Sequence, residues 1–170
     1  MLSTDKRARA VCEAMAQHEG VAWVGMVIRG KREEGPGEVA GYAAVRRVGS
    51  LGRDGGFGWW CVYIGMWPEF ADALAGLALT VHGGATWPWV RRPPFKPVPE
   101  GLEGLAWTGW DYAHGGDSIR KGDGLRLWPL EVVVEQELKD AVAQLDMGAD
   151  YPARGIAGRV VSPEEWRHGR

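Results

Sequence analysis

Apolar positions near the start of the chain recur at helical spacing, with Ala8, Val11, Cys12 and Met15 on one face. Ser3 or Thr4 is placed to cap this helix, and Gly20 to stop it near His18. The lysine and arginines between them fall on the solvated side. The period then shortens toward two. VAWVGMVIR (21–29) and EVAGYAAVRR (38–47) are rich in β-branched, aromatic and small side chains, and the polar Gly/Pro turn GKREEGPG separates them. That arrangement predicts a hairpin. GSLGRDGGFG (49–58) is too glycine-rich for regular structure and leads into a third strand, WWCVYIGM (59–66).

Pro68 sits where a helix can begin without an N–H donor, so PEFADALAG reads as a short helix. LALTVH (77–82) follows as a fourth strand that ends at Gly83–Gly84. The segment 85–104, ATWPWVRRPPFKPVPEGLEG, carries so many prolines that neither a strand nor a helix is expected there. LAWTGWDYAH (105–114) is the fifth strand, broken by Gly115–Gly116. Pro129 opens the clearest helix, LEVVVEQELKDAVAQL, with Leu130, Val134, Leu138, Val142 and Leu145 as its buried stripe and acids and Lys139 opposite. The expected fold class is α+β, with an antiparallel sheet of about five strands packed by an N-terminal helix and a longer C-terminal helix. Residues 1–146 form this single domain. Residues 147–170 are a Gly- and charge-rich tail, with a short helix begun by the capping box Ser162–Glu165.

A chain of 170 residues with net charge −2 and ordinary hydrophobic and charged fractions fits one globular domain. Its basic residues are scattered and the pI is near 6.1, so duplex nucleic acid is not the expected partner. Cys12 and Cys61 have neither metal nor redox spacing and read as buried thiols of a reducing compartment. The N-terminus lacks an apolar signal region, and no stretch approaches a membrane span. A cytoplasmic location is expected, without membrane attachment. Homo-oligomerisation is left open. Two features depart from the ordinary: 26 glycines and 10 tryptophans. Some of these tryptophans stand beside Gly, His and Asp, where a core does not call for them.

The candidate chemistry gathers in two segments, VHGGATW and GWDYAHGGD, expected to meet in one pocket. Alternation puts Ala78, Thr80 and His82 on one face of the fourth strand and Leu77, Leu79 and Val81 on the core face. His82 thus ends a strand just before Gly83–Gly84, whose backbone can approach a ligand closely and whose amides suit an anion. Thr86, Trp87 and Trp110 complete the polar and stacking groups. Asp111, His114 and Asp117 follow at intervals of three and converge only if the chain turns at Gly115–Gly116. Each has a plain structural alternative: a Gly–Gly pair is often only a turn, an Asp before a turn often bonds its own backbone, and a lone His is more often structural than catalytic. His82 and His114 stand out because both occupy the same context, a strand end followed by a Gly-rich turn and a polar residue.

The two segments resemble the signature of a family of small phage and prophage proteins with an HGG[LA]T segment and a later WWxGFDCAHAGD-like segment, followed by an acid-rich helix. Here the first is His82-Gly83-Gly84-Ala85-Thr86, and the second is carried by Trp107, Gly109, Trp110, Asp111, Ala113, His114, Gly116 and Asp117. Trp60-Cys61-Val62 and Pro68 are similar to an earlier strand and proline of that family, so the likeness spans roughly residues 58–145. Tyr112 stands where Cys is common. The resemblance implies a phage origin and a shared pocket and brings no established activity.

Three functions fit these residues. The leading one is a binder of a small anionic ligand, of nucleotide origin, in a pocket of His82, Gly83, Gly84, Thr86, Trp87, Trp110, Asp111, His114, Gly116 and Asp117, a counter-defence sponge in a phage setting. Bases would stack on Trp59, Trp87, Trp89 or Trp110, and phosphates would meet Gly–Gly amides, histidine or the Arg91/Arg92 pair. The second is a hydrolase or lyase with His82 and His114 as base and acid and Asp111 orienting one imidazole. The third is a host-protein inhibitor that docks through the Pro/Trp-rich loop 85–104. No cofactor is expected. His82, His114, Asp111 and Asp117 could supply mixed metal ligands, but their spacing matches no standard metal motif, and no metal is assigned.

Overall fold

In the computed structural model, residues 4–16, 23–31, 37–47, 60–74, 76–112, 119–120, 126–127 and 131–154 are described. Helix α1 (Thr4–Ala16) buries Ala8, Val11, Cys12 and Met15 as their spacing predicts. Strands β1 (Trp23–Gly30) and β2 (Val39–Arg47) form the predicted antiparallel hairpin. Its register shifts between Ile28 and Arg29, and the Arg29 guanidinium Nη1 donates to the Gly37 carbonyl at 3.1 Å. Strand β3 (Trp60–Met66) pairs with β2, and strand β5 (Ala106–Asp111) pairs with β3. Helix α2 (Pro68–Leu74) begins at the predicted proline. Helix α3 (Glu131–Gln144) buries Val134, Leu138, Ala141 and Val142, and Leu145 just beyond its end. The α+β class is as expected.

Both faces of the sheet are covered, which explains why β3 is apolar throughout rather than alternating. Trp60, Val62, Ile64 and Met66 pack with α3, alongside Met26, Ala43, Val45, Ala106, Trp110 and Tyr112. Cys61 and Tyr63 pack on the opposite face with α1, Tyr42, Trp107, Phe95, Leu102 and Leu105. Cys12 and Cys61 are both buried thiols on this second face, outside any disulfide.

Four elements differ from the sequence reading. The fourth strand is not LALTVH but β4 (Trp87–Val90), inside the segment where prolines were expected to exclude a strand. It pairs antiparallel with β5 at the sheet edge, where a residue without an N–H, such as Pro88, is tolerated. The rest of that loop turns Phe95 and Leu102 into the second core, beside Leu105, with Phe95 edge-on to Trp107 and centroids 5.6 Å apart. Residues 77–82 run along α3 instead of joining the sheet. The Gln144 side-chain amide pairs with both backbone groups of Thr80, accepting from its N–H at 2.8 Å and donating to its carbonyl at 2.9 Å. Leu79 and Val81 still pack inward as alternation predicts, whereas Leu77 is 44% exposed.

The stretch read as tail begins with strand β8 (Met147–Arg154), which pairs with the exposed edge of β1. The six-stranded sheet has the order β4-β5-β3-β2-β1-β8, every pairing antiparallel. Two short strands, β6 (Ile119–Arg120) and β7 (Arg126–Leu127), pair with each other. Asp146, at φ 57, turns the chain from α3 into β8 and accepts from Lys31 Nζ at 2.8 Å. The expected terminal helix at 162–166 lies outside the described residues. Among the described residues no helix is long and apolar enough to cross a membrane.

Candidate functional site

The antiparallel registers bring the start of β1, the end of β2, the start of β3, the start of β4 and the end of β5 to one end of the sheet. His82 reaches that end by way of α3, because the strap of residues 77–82 runs antiparallel to the helix: Thr80 is held by Gln144, and the His82 N–H donates to Glu137 Oε1. Glu137 and Gln144 are seven residues apart, two turns on one flank of α3.

The chain then turns. The Gly84 N–H donates to the Val81 carbonyl at 3.0 Å, closing a four-residue turn with His82 and Gly83 at its centre. Gly83 has φ 65, while His82 keeps a negative φ, which makes this a type II turn whose third position requires glycine. The amide of Thr86 donates to the Gly109 carbonyl at 2.8 Å and feeds the chain into β4. Gly83, Gly84, Ala85 and Thr86 are exposed.

The turn presents the His82 imidazole to Tyr112, with ring centroids 4.5 Å apart and planes 12° from parallel. The two segments singled out in the sequence therefore touch, through His82 of the first and Tyr112 of the second. Tyr112 extends the line of β5, its N–H donating to the Trp60 carbonyl, and its side chain lies on the same face as Trp110. Both residues are 2% exposed, and neither Trp110 Nε1 nor Tyr112 Oη has a hydrogen-bond partner among the described residues.

Asp111 goes elsewhere. It is the cross-strand partner of Cys61, which in turn faces Arg46, so these three form a row on the α1 face, away from His82. Tyr63 on that face has a phenol pushed well above the usual tyrosine range, by burial first, then by Cys61, to which it hydrogen-bonds, and by the charge of Asp111, with Arg46 opposing. Because the folded-state value lies above the ordinary 10.0, the unfolded chain loses this proton first. Stability from Tyr63 is whole below pH 10.0 and declines as the pH rises toward the folded-state value. A Tyr63→Phe variant is expected to lose less of its urea midpoint than the parent between about pH 9 and about pH 11. Equal alkaline losses in the two proteins would show that Tyr63 does not drive the decline.

Of the expected site, then, His82, Gly83, Gly84, Thr86 and Trp110 lie at this end of the sheet, and the backbone of Trp87 begins β4 there. Asp111 is on the other face, which removes it as the orienting partner of His82. His114, Gly116 and Asp117 lie outside the described residues, as does Trp59. Tyr112 and Glu137 were not foreseen. Alternation from Trp110 marks Tyr112 as its same-face neighbour, but nothing local singles Glu137 out among the acids of α3. Of the amides expected to meet an anion, that of Gly84 instead closes the turn, and the neighbouring His82 N–H is held by a carboxylate. The described residues hold no cluster of three or more His, Cys, Asp or Glu able to bind a metal ion. Arg91, Arg92 and Lys96 are exposed, whereas Phe95 is fully buried and Trp89 packs against the first core. Comparison with known proteins gives no match to a family model, a curated protein or a solved structure.

Proposed function

We propose that the protein binds a small nucleotide-derived ligand at the junction of the His82 turn, Tyr112 and the flank of α3 that carries Glu137. One observation carries this reading: beside the His82–Tyr112 stack, two buried polar atoms, Trp110 Nε1 and Tyr112 Oη, have no hydrogen-bond partner among the described residues. An unpaired buried donor costs about 1–3 kcal/mol, and a ligand that supplied an acceptor to both would recover that cost. The stacked rings offer a platform for a planar base, a contact that contributes about 1–3 kcal/mol per base in other systems. With the Glu137 carboxylate against the first turn, the anionic part of the ligand is expected to lie away from it. Together with the resemblance to phage proteins, sequestration of a nucleotide signal of host defence is the biological role proposed.

Binding is favoured over catalysis because His82 has Glu137 on its backbone and Tyr112 against its ring, while Asp111 is on the opposite face. The reading is tested by incubating the protein with a panel of nucleotides and cyclic nucleotides, removing free ligand and identifying what is released on heating by mass spectrometry. A panel member recovered intact and in stoichiometric amount supports it, and a chemically altered one indicates an enzyme.

Two variants sharpen the result. His82→Ala is expected to bind about tenfold more weakly, a loss of roughly 1.4 kcal/mol. Tyr112→Phe removes only the hydroxyl. In the ligand-free protein it is expected to be as stable as the parent or slightly more so, because an unpaired group disappears. Its affinity should nevertheless fall by about fivefold, the size of one neutral hydrogen bond. Unchanged affinity in both variants would remove this junction as the site.

A further inference from the structure

The donors and acceptors at the junction have a definite order, and the inference drawn from them rests on the ligand reading above. We infer that the ring taken up beside His82 is a base with a guanine-type edge, a carbonyl oxygen next to ring and exocyclic N–H groups. An indole Nε1 is a donor only, so Trp110 requires an acceptor. The Tyr112 hydroxyl donates or accepts. Glu137 is an acceptor when ionised, and a carboxylate has about four lone-pair sites, of which His82 N–H occupies one.

Glu137 accepts from the His82 backbone, the His82 ring stacks on Tyr112, and Tyr112 shares a face of the strand with Trp110. Beside one aromatic stack the protein therefore offers a carboxylate, a fixed donor and an adaptable hydroxyl. Glu137 is half-buried, and the other two atoms are buried without a hydrogen-bond partner among the described residues.

Among planar bases, guanine presents two adjacent N–H groups, N1–H and N2–H, which suit one carboxylate, and the O6 acceptor, which suits a donor-only indole. Adenine presents an unprotonated N1 at the position where a carboxylate would meet it. Lone pair would face lone pair, with the buried donors still unanswered. A site built from buried polar groups discriminates strongly against a ligand that leaves them unpaired. Hypoxanthine keeps O6 and N1–H and lacks the exocyclic amine, which makes it the intermediate case.

The test is equilibrium binding of GMP, IMP and AMP to the full chain, repeated with Glu137→Gln and Trp110→Phe. Thermal unfolding checks that each variant is folded. GMP is expected to bind at least tenfold more tightly than AMP, with IMP between them. Glu137→Gln is expected to bring GMP down to the level of IMP, because an amide cannot accept from both N–H groups. Trp110→Phe keeps an aromatic ring but removes the indole N–H, and it is expected to weaken GMP and IMP several-fold while leaving AMP unchanged. Equal affinity for GMP and AMP, or a GMP preference that survives Glu137→Gln in a folded variant, would overturn the guanine-edge inference and leave the nucleotide site standing. Failure of all three nucleotides to bind, together with no recovery of any nucleotide from the broader panel, would overturn both.

Discussion

Gly41→Ala is expected to destabilise the protein by about 3 kcal/mol or more. Gly41 is buried in β2, opposite Met66 of β3. A Cβ added there would lie 2.0 Å from the Gly65 carbonyl oxygen and 2.7 Å from Met66 Cα. Both are backbone atoms of the central strand, so no side-chain rotation relieves the clash, and the strands must part. They have little room to do so. On the other face, the space a Cβ would need at Gly65 is filled by the Trp107 indole, with ring atoms 2.7 Å away. Moving β3 therefore disturbs both cores at once. For a domain of this size the expected loss corresponds to a fall of roughly 6–12 °C in Tm. Urea unfolding measures it directly, and a change below about 1 kcal/mol would mean that β2 and β3 separate at little cost.

The same two-sided burial explains which parts of the fold were legible in the sequence. Helices α1 and α3 each bury one stripe, so their periodicity was readable: the named residues from Ala8 to Met15 and Val134, Leu138, Val142 and Leu145 are buried, Ala16 and Ala141 join them, and Leu130 lies outside the described residues. The β1–β2 hairpin had a turn rich in Gly, Pro and charge between two apolar runs. Where packing among distant elements decides, local reading failed. LALTVH has strand alternation, yet the place beside β5 is taken by Trp87–Val90, and Gln144 supplies the hydrogen bonds that a neighbouring strand would otherwise have given Thr80. The prolines of 85–104 argued against any strand. They do not forbid one at an edge, and Phe95 and Leu102 show that this segment closes a core. Residues 147–154 looked like tail because MGADYPAR has no apolar periodicity. An edge strand draws its order from backbone pairing, which side-chain patterns do not announce.

The candidate site was legible to a similar depth. Pairing the two Gly-rich segments brought His82 and the Trp110–Tyr112 stretch together correctly, because both follow strand-like runs that end at the same side of the sheet. Intervals of three suggested that Asp111 belonged with the histidines. Strand alternation is the stronger rule here: Asp111 must face away from Trp110 and Tyr112, and it joins Cys61 and Arg46 instead. Glu137 was invisible because its role depends on the strap crossing α3, a tertiary contact between positions 55 apart in sequence.

That dependence makes α3 the support of the site, and Leu138→Ala is the way to test it. Leu138 is fully buried at the centre of the helix stripe, and removing its side chain is expected to cost about 2–5 kcal/mol through lost burial and the cavity left behind. Glu137 and Gln144 ride on the same helix and hold the amides of His82 and Thr80. If the turn owes its order to α3, both amides must become easier to exchange when the helix is weakened, by the same free energy as the helix amides themselves. A loss of about 3 kcal/mol corresponds to roughly a hundredfold faster exchange at Thr80 and His82. Gln144→Ala gives the contrast, faster exchange at Thr80 with little change across α3. Should Leu138→Ala speed exchange along α3 but leave His82 protected, the turn is anchored by Tyr112 alone, and Glu137 would have to be read as a ligand-facing group rather than a structural one.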